Sequence, residues 1–250
     1  MKGALVTGAG HRLGRAMALE LAAQGFDVAV HYASSADGAD ETVRLIEAAG
    51  GRAVALQADL LDEEQTQSLF PRAVEALGGP ITCLVNNASI FTALQPKPFF
   101  QIDNDEFDKV KTVNSRGVHQ ATKAVLPAML RAGGGKIVNI ASGTFYYGPP
   151  GLSHYTASKG AVIALTRCHG RELGDKNIQV NAIAPGLTES EGMQGHTGFD
   201  PARAPTVASR SIKRDMLPED LLGSLMYLIT PDSDFVTGQT LNVDGGKINL

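Results

Sequence analysis

The sequence predicts an α/β fold: a doubly wound parallel sheet of seven strands with helices on both faces. Two observations predict it. Seven short apolar runs (Gly3 to Thr7, Asp27 to His31, Ala53 to Ala58, Ile81 to Asn86, Lys136 to Ala141, Ile178 to Ile183, Thr240 to Val243) read as strands buried on both faces. Between them, Leu13 to Gln24, Ala39 to Ala49, Glu63 to Leu77, Phe107 to Arg131, Tyr155 to Leu173 and Pro218 to Leu228 carry apolar residues at helical spacing. Strands alternating with crossover helices imply a parallel sheet, and right-handed crossovers cover both its faces. A third observation agrees: 28 of 250 residues are glycine, above the usual ~7%, which suits many tight strand-to-helix turns. No Pro/Ser-rich linker and no internal repeat divides the chain, so one domain over residues 1–250 is expected.

The first strand runs into "VTGAGHRLG", Val6 to Gly14. Glycines there let backbone approach a pyrophosphate seated at the positive end of the following helix. Gly8, Gly10, Leu13 and Gly14 are the candidate contacts, although such a turn also occurs as a plain α/β connection. No Lys-Ser/Thr pair follows the last glycine, which excludes a Walker A loop. Arg12 fills a slot where a turn of this length would usually carry another glycine.

The second strand ends in "VAVHYASSADG", Val28 to Gly38. An NAD site puts Asp or Glu there to hold the ribose 2′-hydroxyl; this chain has Tyr32. His31, Ser34 and Ser35 flank it, and no carboxylate appears before Asp37. A 2′-phosphate, with roughly two negative charges, requires the acid to be gone and a cation to be near. Arg12 can supply the cation, the alternative being a side chain directed to solvent. NADP(H) is therefore expected over NAD(H).

The fifth strand leads into "SGTFYYGPPGLSHYTASK", Ser142 to Lys159. Tyr155 and Lys159, four apart on a helix, project from one face. Ser142 closes the strand at the end of the sheet where ligands of such folds bind. A tyrosine near pKa ~10 needs help to move a proton at neutral pH, and a neighbouring ammonium favours the phenolate. Ser142 would orient the substrate oxygen, Tyr155 would give the proton, and a nicotinamide would give hydride to a carbonyl. Tyr-x-x-x-Lys alone also describes an ordinary solvated helix face. Residues 188–210 show no clear period and are a candidate lid.

The formal charge of −4 and the lack of a Lys/Arg run argue against nucleic acid and against a polybasic membrane contact, leaving a small-molecule partner. Cys83 and Cys168 are expected to be buried free thiols. The six histidines have no metal-ligand spacing and no metal site is expected. No GxSxG elbow occurs. Met1-Lys2 leads straight into an apolar strand, from which a cytoplasmic protein is expected.

Taken together, "TGAGHRLG", "NNAS" at Asn86 to Ser89, Asn114 in "VNSRG", Ser142, "YTASK", Pro185-Gly186 and "VDGG" at Val243 to Gly246 resemble the short-chain dehydrogenase/reductase family along essentially the whole chain. The resemblance implies a Rossmann-like sheet, with residues 1–91 mainly dinucleotide-binding and 92–250 mainly catalytic and substrate-binding. It implies catalysis by Asn114, Ser142, Tyr155 and Lys159, with a water-linked proton relay from Lys159 past Asn114, and a homotetramer. It further implies cofactor contacts at Asp59, Leu60, Asn86, Asn87, Ala88, Ser89, Pro185, Gly186 and Thr188, with Ser190 near the carboxamide. Arg12, "HYASS" and Phe91 resemble the NADPH-dependent pteridine-reductase branch, in which an aromatic at the Phe91 position stacks on a pterin. That branch usually has Asp where this chain has Ser142. From Thr92 onward the chain resembles alcohol and ketone dehydrogenases acting on ring-bearing substrates.

The expected activity is a reversible NADPH-dependent carbonyl reductase. Its pocket would be formed by Ser89, Phe91, Ser142, Phe145, Tyr146, Leu152, His154, Tyr155 and Met193, although the aromatics also fit core or subunit contacts. A pteridine reductase and a catalytically silent dinucleotide sensor are the alternatives.

Overall fold

Seven parallel strands, β1 (Lys2–Val6), β2 (Phe26–Tyr32), β3 (Ala53–Gln57), β4 (Ile81–Asn86), β5 (Gly135–Ile140), β6 (Ile178–Pro185) and β7 (Thr240–Val243), form one sheet in the order β3-β2-β1-β4-β5-β6-β7. Every run expected to be a strand is one, as this computed structural model shows; it describes residues 2–190 and 197–249. Strand order reverses between β1 and β4, which opens a crevice beyond their carboxyl ends.

Strand alternation explains why the runs are apolar throughout. Ala4, Val6, Val28, Val30, Cys83 and Val85 turn to one face, where they meet Met17 and Leu21 of α1 (Arg12–Ala23), Ile46 of α2 (Ala36–Ala48) and Leu225 of α9 (Leu222–Ile229). Leu5, Ala29, Ile81 and Leu84 turn to the other, against Leu69 and Phe70 of α3 (Glu63–Leu77) and Val125 and Met129 of α5 (Gly117–Ala132). Cys83 is buried in this core, and burial pushes its thiol up to about 12. Cys168, expected to be buried, is exposed on α7 (Ser153–Leu173).

Two expected elements differ. The single helix read from Phe107 to Arg131 is α4 (Asn104–Lys111) and α5 joined by a π-helical turn, Thr112–Arg116. The apolar stripe continues across the turn, so the slip in hydrogen bonding leaves no mark on the periodicity. The segment read as an aperiodic lid contains a 3-10 turn, Thr197–Phe199, and α8 (Asp200–Ser209). Pro201 lies in the first turn of α8, where a missing N–H breaks no helical bond. No helix among the described residues is long and apolar enough to cross a membrane.

Candidate active site

A cleft of about 580 Å³ runs along the carboxyl ends of the strands, from Tyr32, Ser34 and Ser35 past the glycine turn to Ser142, Tyr155 and Lys159. The turn is shaped from behind. Thr42 donates to Ala9 O at 3.1 Å, Arg15 Nη2 donates to Gly10 O at 2.7 Å, and Asn87 Nδ2 donates to Thr7 O and Gly8 O at 2.9 and 3.1 Å. These bonds take up backbone carbonyls that would repel an anion. Gly14 cannot carry a side chain, because a Cβ there would lie 2.1 Å from Gly8 O. Gly8, Gly10, Leu13 and Gly14 line the cleft, in a geometry suited to a pyrophosphate at the α1 N-terminus.

Arg12 holds φ +55°, a left-handed conformation that glycine adopts without strain and other residues rarely do. Its guanidinium donates to Thr92 Oγ1, in the loop after β4. Thr92 lies on the β4 side of the glycine turn, whereas Tyr32, Ser34 and Ser35 lie on the β2 side of the same cleft. Asn87, Gly8 and Thr92 share the β4-side corner, which brings Thr92 within reach.

His31 lines the cleft but is 1% exposed. Its Nδ1 accepts from Gly8 N–H at 3.1 Å and its Nε2 lies 3.0 Å from Ala58 O. Asp59 and Leu60 line the cleft, the Asp59 carboxylate accepting from Leu61 N–H. Ala88 lines it too, its N–H donating to Thr7 Oγ1 at 3.0 Å. Asn86 does not reach the cleft: its amide donates to Asn139 Oδ1 at 2.9 Å inside the sheet, because alternation along β4 turns it to the face opposite Asn87.

At the other end Tyr155, Ser142 and Ser89 line the cleft together. Burial pushes Tyr155 up to about 12, the nearby Ser142 and Ser89 hydroxyls opposing the shift. Burial also brings Lys159 down to about 7. Lys159 Nζ donates to Ile140 O at 2.7 Å and lies 5.8 Å from the Tyr155 ring centre. Desolvation therefore works against both charges in the folded protein. Asn114 sits in the π-helical turn, fully buried. Its Oδ1 accepts from Ile90 N–H at 2.7 Å and its Nδ2 donates to Ile90 O and Ser158 Oγ at 3.2 and 3.1 Å. It thus fastens the loop after β4.

Phe91 and Leu152 line the cleft, the Phe91 ring 4.8 Å from Tyr155 and 4.9 Å from Phe199, nearly stacked on the latter. Phe145 and Tyr146, expected in the pocket, lie outside it. Phe145 packs on Gly160 of α7, and Tyr146 lines a separate surface cavity with Arg167. Thr144 and Tyr147 line the cleft instead, because positions three apart share a face of the short helix α6 (Thr144–Tyr147). That spacing was available in the sequence. His154 also lies outside the cleft, bonded to Glu106 at 3.1 Å. Pro185, Gly186, Thr188 and Ser190 line the cleft, joined by Phe199, Ala202 and Thr206 of the segment read as a lid and by Lys109, which was not anticipated. Met193 lies outside the described residues.

A seven-stranded doubly wound sheet, with a glycine turn and a Ser-Tyr-Lys set in one cleft at its switch point, defines a dinucleotide-dependent oxidoreductase. Comparison with known proteins agrees. Residues 8–247 match the family model described as enoyl-(acyl carrier protein) reductase. The chain is 35% identical over 245 residues to the 3-oxoacyl-[acyl-carrier-protein] reductase FabG of Staphylococcus epidermidis, covering 98% of each chain. The dehydrogenase/reductase of Sinorhizobium meliloti 1021 superposes with a TM-score of 0.91 at 36% identity, covering 99% of this chain and 95% of that one. A blue fluorescent protein from a metagenomic library, solved with NADPH, gives a TM-score of 0.89 at 34% identity, covering 99% and 98%. The chain belongs to the short-chain dehydrogenase/reductase family.

Proposed function

We propose that this protein reversibly moves hydride between NADPH and the carbonyl or secondary alcohol of a fairly apolar, ring-bearing small molecule. The observation that carries the reading is that Tyr155, Ser142, Ser89 and Lys159 line one end of the cleft that begins at the glycine turn, with the Phe91 ring 4.8 Å from Tyr155. The glycine turn and the α1 N-terminus would hold the pyrophosphate. Gly186 and Thr188 line the same cleft and would meet the nicotinamide end of the dinucleotide. When bound, the nicotinamide supplies or accepts the hydride.

Ser142 and Ser89, beside the phenol in the cleft, can share the substrate oxygen with it. Tyr155 gives that oxygen its proton in reduction and takes it back in oxidation. Burial raises Tyr155 and lowers Lys159, so the phenol becomes a better base as positive charge gathers beside it, from the ammonium form of Lys159 and from an oxidised nicotinamide when bound.

NADPH rather than NADH is supported by the end of β2, where Tyr32, Ser34 and Ser35 line the cleft and no acid occupies the Tyr32 position. Tyr155→Phe is expected to lower kcat about 10²–10⁴-fold while NADPH still binds. Equal turnover by the two proteins, measured on a panel of cyclic and aryl ketones, would reject the reading. The pteridine-reductase alternative draws on Phe91 beside Tyr155, and rapid dihydrobiopterin reduction without ketone activity would establish it.

A further inference from the structure

We propose that His31 is a positioning residue for the dinucleotide, acting through the backbone of the glycine turn rather than by touching the cofactor's reacting end. The proposal rests on the dinucleotide reading above. Three strand ends meet at this side chain. Gly8, at φ +65°, donates its N–H to Nδ1 at 3.1 Å. Ala58, just past β3, has its carbonyl 3.0 Å from Nε2. The His31 carbonyl itself accepts from Ala9 N–H at 2.9 Å. Gly8 and Ala9 are therefore both hung on one residue of β2.

The partners fix the protonation state. Gly8 N–H can only donate and Ala58 O can only accept, so Nδ1 is bare and Nε2 carries the hydrogen. An imidazolium would set two N–H groups against each other at Gly8. Burial holds the ring in the neutral form and brings it down to about 4. The charged groups facing it, Asp59 beside Ala58 and Arg72 on α3, act in opposite senses.

The bond also has a consequence for anion binding. With Gly8 N–H committed to His31, and with Ala9 O and Gly10 O committed to Thr42 and Arg15, the backbone left to meet a phosphate is the first turn of α1. Loss of the imidazole releases the Gly8 N–H, while Asn87, Thr42 and Arg15 still hold the neighbouring carbonyls, so the turn loosens at Gly8 and its first N–H loses a fixed direction. A side chain with an acceptor at the Nδ1 position should restore most of the effect even if Ala58 is left unpaired.

Fluorescence titration of NADPH at pH 8 into the wild type, His31→Asn and His31→Leu tests this. The asparagine retains an acceptor for Gly8 and the leucine retains none. The dissociation constant is expected to weaken about tenfold or more in His31→Leu and clearly less in His31→Asn. At saturating NADPH, kcat and the carbonyl-substrate KM should stay within about twofold of the wild type. Unchanged affinity in His31→Leu, or equal losses in both variants, would overturn the proposal. If His31→Leu does not fold, His31→Asn against His31→Gln, whose longer arm misplaces the acceptor, carries the same comparison. Should the wild type itself take up no NADPH, the dinucleotide reading falls, a result distinct from binding that ignores position 31.

Discussion

At the nucleotide end of the cleft the walls are held by directional bonds, from Gly8 N–H to His31, Thr42 to Ala9 O, Arg15 to Gly10 O and Asn87 to Thr7 O and Gly8 O. At the substrate end they are held by apolar packing, with Phe91, Phe199, Leu94, Leu152 and Val110 clustered around Tyr155. A hydrogen bond is lost within a few tenths of an ångström, whereas apolar neighbours can be exchanged if volume is kept. On the proposed function, the first end would hold one cofactor, and the second could change its substrate without disturbing the first.

The sharpest way to break this contrast is Gly14→Ala. Its Cβ would lie 2.1 Å from Gly8 O and 2.9 Å from Ala9 Cα, and neither atom belongs to a flexible side chain. A loss of about 3 kcal/mol or more in denaturant-measured stability, with abolished NADPH uptake, is expected.

A comparable figure attaches to pH. His31 titrates at about 4 in the folded protein against 6.5 otherwise. The unfolded chain therefore binds the extra proton between those values, and stability is full above pH 6.5 and falls as pH drops toward 4. The loss amounts to about 3 kcal/mol. Urea unfolding from pH 8 to 4 checks it, since His31→Asn should lose this component.

Phe199→Ala acts at the other end. Removing the ring stacked on Phe91 should raise the KM of ring-bearing ketones by roughly tenfold, with NADPH affinity unchanged. A matching fall in NADPH affinity would erase the distinction between the two ends.

Arg12→Gly is the mildest. Relief of the left-handed backbone at Arg12 should stabilise the fold by about 1 kcal/mol, read as a small rise in Tm. Because the guanidinium turns toward Thr92, the NADPH-to-NADH preference should stay within about twofold. A selective loss for NADPH would place Arg12 at the 2′-phosphate.

Much of this was legible in advance where a local rule applies. The seven apolar runs are strands because parallel strands covered on both faces must be apolar throughout. Gly8 and Gly14 stand where backbone alone fits, and Tyr155 and Lys159 share a helix face by spacing. Other features were not legible. The spacing pairs Thr144 with Tyr147 on one helix face, but which face of α6 lines the cleft is decided only when the helix is placed against α7. The π-helical turn at Asn114 leaves the apolar period intact, and the bond that goes with it is to Ile90, 24 positions away.

The sequence by itself determined the seven strands, their parallel direction and the chemical groups available at their ends. Those follow from side-chain period, chirality and turn chemistry, which act over a few residues. Only the tertiary structure decided which way Arg12 reaches, that His31 braces the glycine turn, and which aromatics face the substrate. Each of those outcomes depends on contacts between segments distant in the chain, and no local preference encodes them.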